Sequence, residues 1–535
     1  MSSLGRLLRV LLLWVVVVSL VGRGRALAAG PTPGRKAALL VPYTQYEWWI
    51  NRWSDNRWLC QVLIDHEGLP SGEEIYAACG SAVYAEWKTT PACKAVENEG
   101  DTSICVGVYL HLIGSEPAEK TIMVDLPAPK VWVELSGCMP TAENLCPTLP
   151  SLRLTGEEPL PNERITAIHA KMGGQVYECQ AEICDIPLQP TLLEGTSLEF
   201  WADSSFGDSS EHFTAQVRVI DSGMMQTPTA GGWYVDVLST QWRGKTVASC
   251  SQTWQAFPPL GGLPAWLSTP EAPTLMATNE PYFYLAGRLI SQGLVDASDC
   301  ATGGLLANGY ADGCGLEKAM PLVLEWQDQF DAQILAVAQE TGVPAQLMKN
   351  LFAAESQFWP GAFKDPREFG LGQMTENGAD ALLLWNPAFY DQFCPLVLQA
   401  SACEKGYIYL PTSDQATLRG ALSLQTKADC ADCPAGIDLS HANFSIKLFA
   451  QSLLANCEQV SQIVYNATNR MPGKVSDYEN LWRFTVANYH AGPGCLSYAM
   501  YSAWQRGDTM DWAHVSQYLT EPCKGVISYV EKIDR

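Results

Sequence analysis

The chain is poor in basic residues. Its 535 residues include 34 lysines and arginines but 57 aspartates and glutamates, so the net charge is −23 at pH 7. This shortage argues against a nucleic-acid-binding protein, because contacts to phosphate groups need a basic face. It also removes electrostatic attraction to anionic lipids or polymers. Binding to any such surface would have to use stacking and hydrogen bonds.

Long apolar runs are scarce as well. The one candidate, Val10–Val21, follows two arginines and precedes Ala26-Leu27-Ala28. The run is too short for a comfortable transmembrane helix. A basic start, an apolar middle and small residues at the end are typical of a secretory signal peptide, here cleaved after Ala28. Because Arg23 and Arg25 lie between the run and the cleavage site, an uncleaved anchor is the alternative.

The sequence is, in contrast, rich in cysteine. Eighteen cysteines in an exported chain predict many disulfides and an oxidising compartment. Sequence proximity suggests the pairs Cys138/Cys146, Cys179/Cys184, Cys300/Cys314 and Cys394/Cys403. The spacing Cys430-x-x-Cys433 also occurs in zinc and redox motifs, but no second cysteine pair or nearby histidine pair completes a metal site. We therefore expect a disulfide there, and we expect no metal ion or cofactor.

Length and composition divide the chain into several regions. A chain of 535 residues with 47% hydrophobic residues predicts about three or four domains. After the signal peptide at 1–28, we place a β module rich in cysteine and tryptophan at 29–148 and an immunoglobulin-like β region at 149–262. A proline-punctuated connector at 263–320 leads to a mainly helical domain at 321–535. The predicted fold class is therefore multidomain, with all-β modules before an α domain.

The two β regions differ in their patterns. In the first, four tryptophans crowd one stretch, namely Trp48, Trp49, Trp53 and Trp58. We expect these rings to fill a small disulfide-stapled core, with a sugar-stacking platform as the alternative. In the second region, short strand-like runs separated by turn residues are typical of an immunoglobulin-like sandwich.

The segment 347–374 carries the candidate chemistry. Leu347, Leu351 and Glu355 recur at helical spacing, and Phe352 lies three residues before the glutamate. This pattern puts a carboxyl group on the apolar face of a helix, where a charge is costly unless it is paired or faces a cavity. Burial favours the protonated form of a carboxyl group, and cleavage of a glycosidic bond requires a protonated acid. A boundary glutamate turned to water is the alternative.

Three motifs, in this order, resemble the soluble lytic transglycosylase family. They are Glu355-Ser356, Gly370-Leu371-Gly372-Gln373-Met374 and Tyr489-His490-Ala491-Gly492. Gly370 follows Glu355 by fifteen positions (370 − 355), which is the spacing of the family. The resemblance covers residues 344 to about 504. It departs from the family where His490 replaces the usual asparagine, and where a long segment that carries Cys394, Cys403, Cys430 and Cys433 separates the second and third motifs.

The resemblance implies a lysozyme-like fold, related to goose-type lysozyme, and a peptidoglycan substrate. It implies cleavage of the β-1,4 bond after N-acetylmuramic acid without added water. Glu355 would protonate the leaving oxygen and then take the proton of the sugar's own 6-hydroxyl, which closes a 1,6-anhydro ring. Tyr489 is expected to hydrogen-bond Glu355. Substrate contacts are expected from Ser356, Gln373, Met374, Tyr489 and His490. The protein would be secreted or associated with the cell wall.

Two other functions stay open on the sequence. A hydrolase like goose-type lysozyme would need a second carboxylate to activate water, roughly 6.5–9.5 Å from Glu355. The local candidates are Asp365, Glu368 and Glu376, although most such residues lie on a solvated loop face. A non-catalytic wall-binding protein is the other reading; His490 and the long insertion support it, and the intact Glu355 argues against it.

Overall fold

A computed structural model describes residues 34–97, 101–138, 145–227, 230–244, 249–361 and 368–535. The predicted signal peptide at 1–28 lies outside the described residues. The chain divides into two compact units, a first unit built on residues 34–128 and a second unit that holds most of the remainder up to Arg535. In the parts of the chain that the structure describes, no helix has both the length and the apolar character needed to cross a bilayer.

The first unit is a small antiparallel sheet covered on one face by a helix. The sheet has the strand order β2-β1-β3. Its elements are β1 (Lys36–Arg52), β2 (Trp58–Ile64), α1 (Gly72–Thr89), α2 (Lys94–Glu97) and β3 (Val108–Asp125). Ile50, Val62 and Ile75 form the buried core between the sheet and α1. The Cys60–Cys79 disulfide joins β2 to α1 and so fixes the helix on this face.

The tryptophan cluster divides between the two faces of this sheet. Trp48 packs against the core, whereas Trp49 and Trp58 are 36% and 52% exposed. Successive residues of a strand point to opposite faces, so Trp48 and Trp49 cannot both enter one core. Trp53 is partly buried and stacks on Tyr109 with 4.0 Å between ring centroids. The prediction that these rings fill the core is therefore correct for Trp48 and wrong for Trp49 and Trp58.

The second unit begins with two antiparallel sheets. The strands are β4 (Lys130–Ser136), β5 (Leu145–Cys146), β6 (Ser151–Glu157), β7 (Ile165–Met172), β8 (Gln175–Cys179), β9 (Ile183–Pro187), β10 (Thr196–Ser204), β11 (Phe213–Thr227) and β12 (Ala230–Leu238). One sheet has the order β5-β12-β11-β10-β7-β8 and the other β4-β6-β9. Alternate residues from both sheets, such as Val131, Leu154, Phe200 and Val217, share one buried core. Because β4 pairs with β6, this region begins near residue 129, earlier than the predicted 149.

The rest of the second unit is helical. Its helices are α3 (Ser249–Trp254), α4 (Phe283–Ser291), α5 (Gly313–Asp328), α6 (Asp331–Thr341), α7 (Ala345–Glu355), α8 (Glu376–Trp385), α9 (Pro387–Val397), α10 (Ala400–Cys403), α11 (Thr412–Thr426), α12 (Leu439–Thr468), α13 (Tyr478–Ala491), α14 (Pro493–Arg506), α15 (Trp512–Val515) and α16 (Gly525–Ile533). The 30-residue α12 is central and contacts α3, α6, α8, α11, α13 and α14. Asp438 caps α12 by accepting hydrogen bonds from the Ser440 and His441 amides.

The predicted connector at 263–320 belongs to the helical region. Trp266, Leu267 and Leu285 are buried in the same core as α7 and α12. The prolines of this segment predict a linker. Several apolar side chains between those prolines are buried, however, and the segment packs into the helical core. The predicted boundary at residue 321 falls inside α5, and α5 is separated from α6 at residues 329–330.

All eighteen cysteines form disulfides in the structure. The four pairs predicted from proximity and the Cys430–Cys433 pair are confirmed. The remaining bonds join Cys60 to Cys79, Cys93 to Cys105, Cys250 to Cys457 and Cys495 to Cys523. Nine disulfides indicate an oxidising, extracellular environment, because cytosolic thiols are kept reduced.

Candidate active site

Glu355 is the last residue of α7. Leu347, Leu351 and Phe352 of this helix are fully buried, and the side chain of Glu355 continues their face with 17% exposure. Beyond it the chain leaves the helix abruptly, since Gln357 and Phe358 have positive φ angles of 48° and 60°. The helix therefore ends where its apolar face meets a cavity, and it delivers one carboxyl group to the cavity wall.

Ser356, which the sequence predicted as a substrate contact, has a structural role instead. It is completely buried, and its hydroxyl donates a 2.7 Å hydrogen bond to the Leu371 carbonyl. A fully enclosed hydroxyl has no surface to offer a ligand. Ser356 ties the end of α7 to the turn that carries the second motif.

The second motif forms a tight turn. Phe369 and Met374 pair across it, and Gly370 adopts a φ of 75°, which favours glycine. The Gln373 side chain closes the turn by donating from Nε2 to the Gly370 carbonyl at 2.7 Å. The side-chain oxygen of Gln373 is buried, and it has no hydrogen-bond partner among the described residues. Gln373 thus holds the turn and keeps one acceptor unused.

Gly372 lies against α12. A Cβ atom added at this position would meet the Phe449 ring at 2.1 Å. The close approach of the backbone at this glycine is to a helix. The glycine is required because the turn packs directly on the Phe449 ring.

Tyr489 of α13 supports the same turn. Its hydroxyl donates to the Gly372 carbonyl, and its ring packs edge-on against Phe449 with centroids 5.2 Å apart. Burial raises the pKa of the Tyr489 phenol well above its usual range, with a smaller contribution from Glu355. The hydroxyl therefore stays protonated. Since its proton is given to Gly372, the predicted hydrogen bond from Tyr489 to Glu355 is not the one that forms.

Tyr529 of α16 is the residue that bonds to Glu355. Its hydroxyl donates to Oε1 of the carboxyl group. Burial, and then the neighbouring carboxylate, raise the pKa of the Tyr529 phenol well above its usual range, so it remains a neutral donor. Sequence reasoning missed this residue, which lies 174 positions after Glu355. Its trace in the sequence is a tyrosine between the apolar positions Val526, Val530 and Ile533.

His490 lies beside both groups. Its ring stacks on the Tyr529 ring with 3.8 Å between centroids and 13° between planes. Its Nδ1 atom is 3.8 Å from Glu355 Oε1, and its side chain is 40% exposed. The carboxyl group thus faces a neutral phenol and an imidazole that solvent can reach.

These residues line one cavity of about 500 Å³. Glu355, Gln373, Met374, Tyr489 and His490 contribute to its wall. A cluster of amides adds to it, in which Asn488 Nδ2 donates to Asn456 Oδ1 and to Gln459 Oε1, each at 2.7 Å. The Asn488 oxygen is buried without a hydrogen-bond partner. The cavity therefore combines one acid with several amide groups.

The candidate second carboxylates are not equivalent. Glu368 lines the same cavity as Glu355. Glu376 lines a separate cavity of about 280 Å³ together with Arg419 and Lys427. Asp365 lies outside the described residues. Within the described ranges, no group of three or more histidine, cysteine, aspartate or glutamate side chains is arranged to hold a metal ion.

Comparison with known proteins adds no relative. No protein-family model matches the chain, and no curated protein or solved structure matches it at a significant level.

Proposed function

We propose that the protein is a secreted lytic transglycosylase that cleaves peptidoglycan and leaves 1,6-anhydro ends. The observation that carries the proposal is the convergence of three sequence-distant motifs on one cavity. Glu355, Gln373 and Tyr489 come from α7, from the turn after it and from α13. A mostly buried acid in a polar cavity large enough to hold sugar units is the arrangement that cleavage of a glycosidic bond needs.

The proposal extends to the folds. The two sheets at 130–238 share one core, which supports an immunoglobulin-like sandwich serving as a spacer or weak binder. The helices packed around α12 support a lysozyme-like fold for the region that carries the cavity. The helices α8 to α11 form an insertion with its own small core, including Leu382, Leu418 and Leu422.

In the proposed reaction Glu355 is the acid. The Tyr529 hydroxyl occupies Oε1, which leaves Oε2 to carry the proton that passes to the glycosidic oxygen. The bond from C1 of the N-acetylmuramic acid unit to that oxygen breaks, and C1 gains oxocarbenium character. The 6-hydroxyl of the same sugar then attacks C1 and gives up its proton to the Glu355 carboxylate, which restores the acid. The Tyr529 donor stabilises the carboxylate that forms when the acid proton leaves.

The amide groups suit an amino-sugar polymer. Gln373, Asn456 and Gln459 bring side-chain amides to the lining of the cavity, and an amide offers both N–H donors and an oxygen acceptor. Acetamido groups carry both an N–H donor and a carbonyl acceptor. We propose that these side chains bind the acetamido substituents of the glycan.

A hydrolase like goose-type lysozyme is the second candidate, because Glu368 lines the cavity with Glu355. A second carboxylate across the cleft would activate water instead of leaving the 6-hydroxyl to attack. The two reactions differ in whether water enters the product, and that difference is measurable.

The acid assignment is tested with Glu355→Gln, which keeps the size of the side chain and removes its proton. We expect cleavage of purified peptidoglycan sacculi to fall by about 10²–10⁴-fold, because general-acid catalysis contributes that much. Glu340→Gln, which changes an exposed glutamate on α6, is the matched control and should cleave normally. Near-normal turnover in Glu355→Gln would remove the assignment. Retention on sacculi without any product from the wild type would indicate a binding protein.

A further inference from the structure

His490 is a polar residue of the cavity that has no role in the proposed reaction. It is the penultimate residue of α13 and stands where the resembling family has asparagine. An asparagine side chain does not accept a proton near neutral pH, whereas a neutral imidazole does. The substitution therefore adds a chemical capacity to the site and does more than change its shape.

Three contacts place the imidazole for proton transfer. Nδ1 is 3.8 Å from Glu355 Oε1, which is too long for a direct hydrogen bond but within reach of one bridging water. The ring lies flat on the Tyr529 ring at 3.8 Å, which fixes its orientation. The side chain is 40% exposed and lines the cavity, so a substrate hydroxyl can approach it.

We propose that His490 is a catalytic base that takes the proton of the 6-hydroxyl as the 1,6-anhydro ring closes. This inference rests on the proposed function. It replaces the step in which Glu355 itself would recover that proton from the sugar. Glu355 then serves as the acid, and His490 serves as the base of the second half of the reaction.

The proton count closes on this chain's own groups. Glu355 gives its proton to the leaving oxygen, and the bond from C1 to that oxygen breaks. The sugar's 6-oxygen forms a bond to C1, and its proton goes to Nδ1 of the imidazole. The imidazolium then returns a proton from Nδ1 to the Glu355 carboxylate, which restores both groups for the next cleavage. No other reactant is consumed.

The surroundings of His490 favour the charged intermediate. The imidazolium would have the π face of Tyr529 on one side and the newly formed carboxylate of Glu355 beside it. Both interactions attract a cation. The Glu355 carboxylate forms as the acid gives its proton to the leaving oxygen, so the attraction between the two charges grows during the reaction.

The test is the cleavage of peptidoglycan sacculi by the full-length variant His490→Ala, with and without added imidazole. We expect kcat to fall by about 10²-fold while KM changes by less than about threefold, since the lost group acts on the reaction and not on binding. Free imidazole should restore kcat at least about tenfold, because it can occupy the space of the missing ring and accept the proton. A structural role would not respond to imidazole.

Two further variants complete the test. His490→Asn keeps a polar side chain of similar size, so it serves as the test if His490→Ala folds poorly. We expect His490→Asn to lose the same share of kcat. His514→Ala removes an exposed histidine on α15 that bonds to Asp511, and it should cleave at the wild-type rate. Binding to sacculi, measured for each variant, checks that the cavity is intact.

The outcomes separate the base assignment from the proposed function. If the wild type releases anhydro products and His490→Asn has a kcat within about threefold of it, His490 is not the base. A kcat that imidazole fails to restore in His490→Ala overturns the assignment as well. If the wild type itself releases no anhydro products, the proposed function fails, whatever the variants do.

Discussion

Two charged residues of α7 have opposite surroundings. Lys349 is completely buried, and its Nζ lies 2.7 Å from Asp331 Oδ2 and 3.2 Å from Asp328 Oδ1. Glu355, at the other end of the helix, is 17% exposed to a cavity, and it accepts a hydrogen bond from the neutral hydroxyl of Tyr529. The Lys349 charge is buried and paired with opposite charges. The Glu355 carboxyl group instead lines a cavity that a substrate can enter.

The comparison distinguishes a buried, paired charge from an accessible carboxyl group on the same helix. Burial raises the pKa of Asp331 to about 6, while the Lys349 ammonium group opposes the shift. An ion pair buried in this way is costly to break but performs no reaction. A carboxyl group beside a cavity contributes little to folding, but a substrate can reach it. The following predictions test whether the two sites differ in this way.

The largest effect on stability is expected at the buried pair. Lys349→Met should lower the free energy of unfolding by about 3–5 kcal/mol, because it leaves Asp331 buried without its partner. Glu355→Gln should lower it by less than about 1 kcal/mol, because the amide keeps the shape and an acceptor for Tyr529. Urea unfolding followed by tryptophan fluorescence measures both. Lys447→Met, at an exposed position of α12, is the control. Equal losses of unfolding free energy in Lys349→Met and Glu355→Gln would contradict the distinction between the two sites.

An intermediate effect on activity is expected at Tyr529. Tyr529→Phe removes the hydroxyl that donates to Glu355 and leaves the ring that stacks under His490. Hydrogen bonds to charged groups are worth about 1.5–3 kcal/mol, so we expect kcat to fall by roughly 10–100-fold with unchanged stability. Tyr518→Phe removes a comparable hydroxyl-to-carboxylate bond, to Asp508, and should cleave normally. An unchanged kcat in Tyr529→Phe would mean that the hydrogen bond does not tune the acid.

The smallest effect is expected one residue after the acid. Ser356→Ala removes a buried hydrogen bond to Leu371 and should cost about 1 kcal/mol of stability. Because the hydroxyl does not reach the cavity, kcat and KM should stay at wild-type values. A rise in KM without loss of stability would return Ser356 to the substrate contacts that the sequence predicted.

Local patterns in the sequence predict much of the molecule. Helical spacing places Glu355 at the end of an apolar face, and Asp438 is of a residue type that favours the start of a helix, here α12. Cysteines close in sequence predict five of the nine disulfides, because short loops bring their ends together readily. The bond between Cys250 and Cys457 spans 207 residues and leaves no such trace.

Contacts between distant segments are what the sequence does not reveal. Tyr529 bonds to Glu355 only because α16 packs beside α7, and Tyr489 turns to Gly372 because Phe449 of α12 fixes its ring. The prolines at 263–320 predict a connector, although Trp266, Leu267 and Leu285 of that segment are buried. Trp48 and Trp49 are adjacent on β1 and are the same residue type, but they face opposite sides of the sheet. In each case tertiary packing decides between local alternatives.

The most direct measurement of the central claim is the mass of the fragments released from peptidoglycan in water labelled with a heavy oxygen isotope. We predict anhydro-muropeptides that lack one molecule of water relative to a hydrolysis product and carry no label, with the same digest by Glu355→Gln as the blank. Labelled fragments heavier by one water would contradict the account and show that the cavity catalyses hydrolysis.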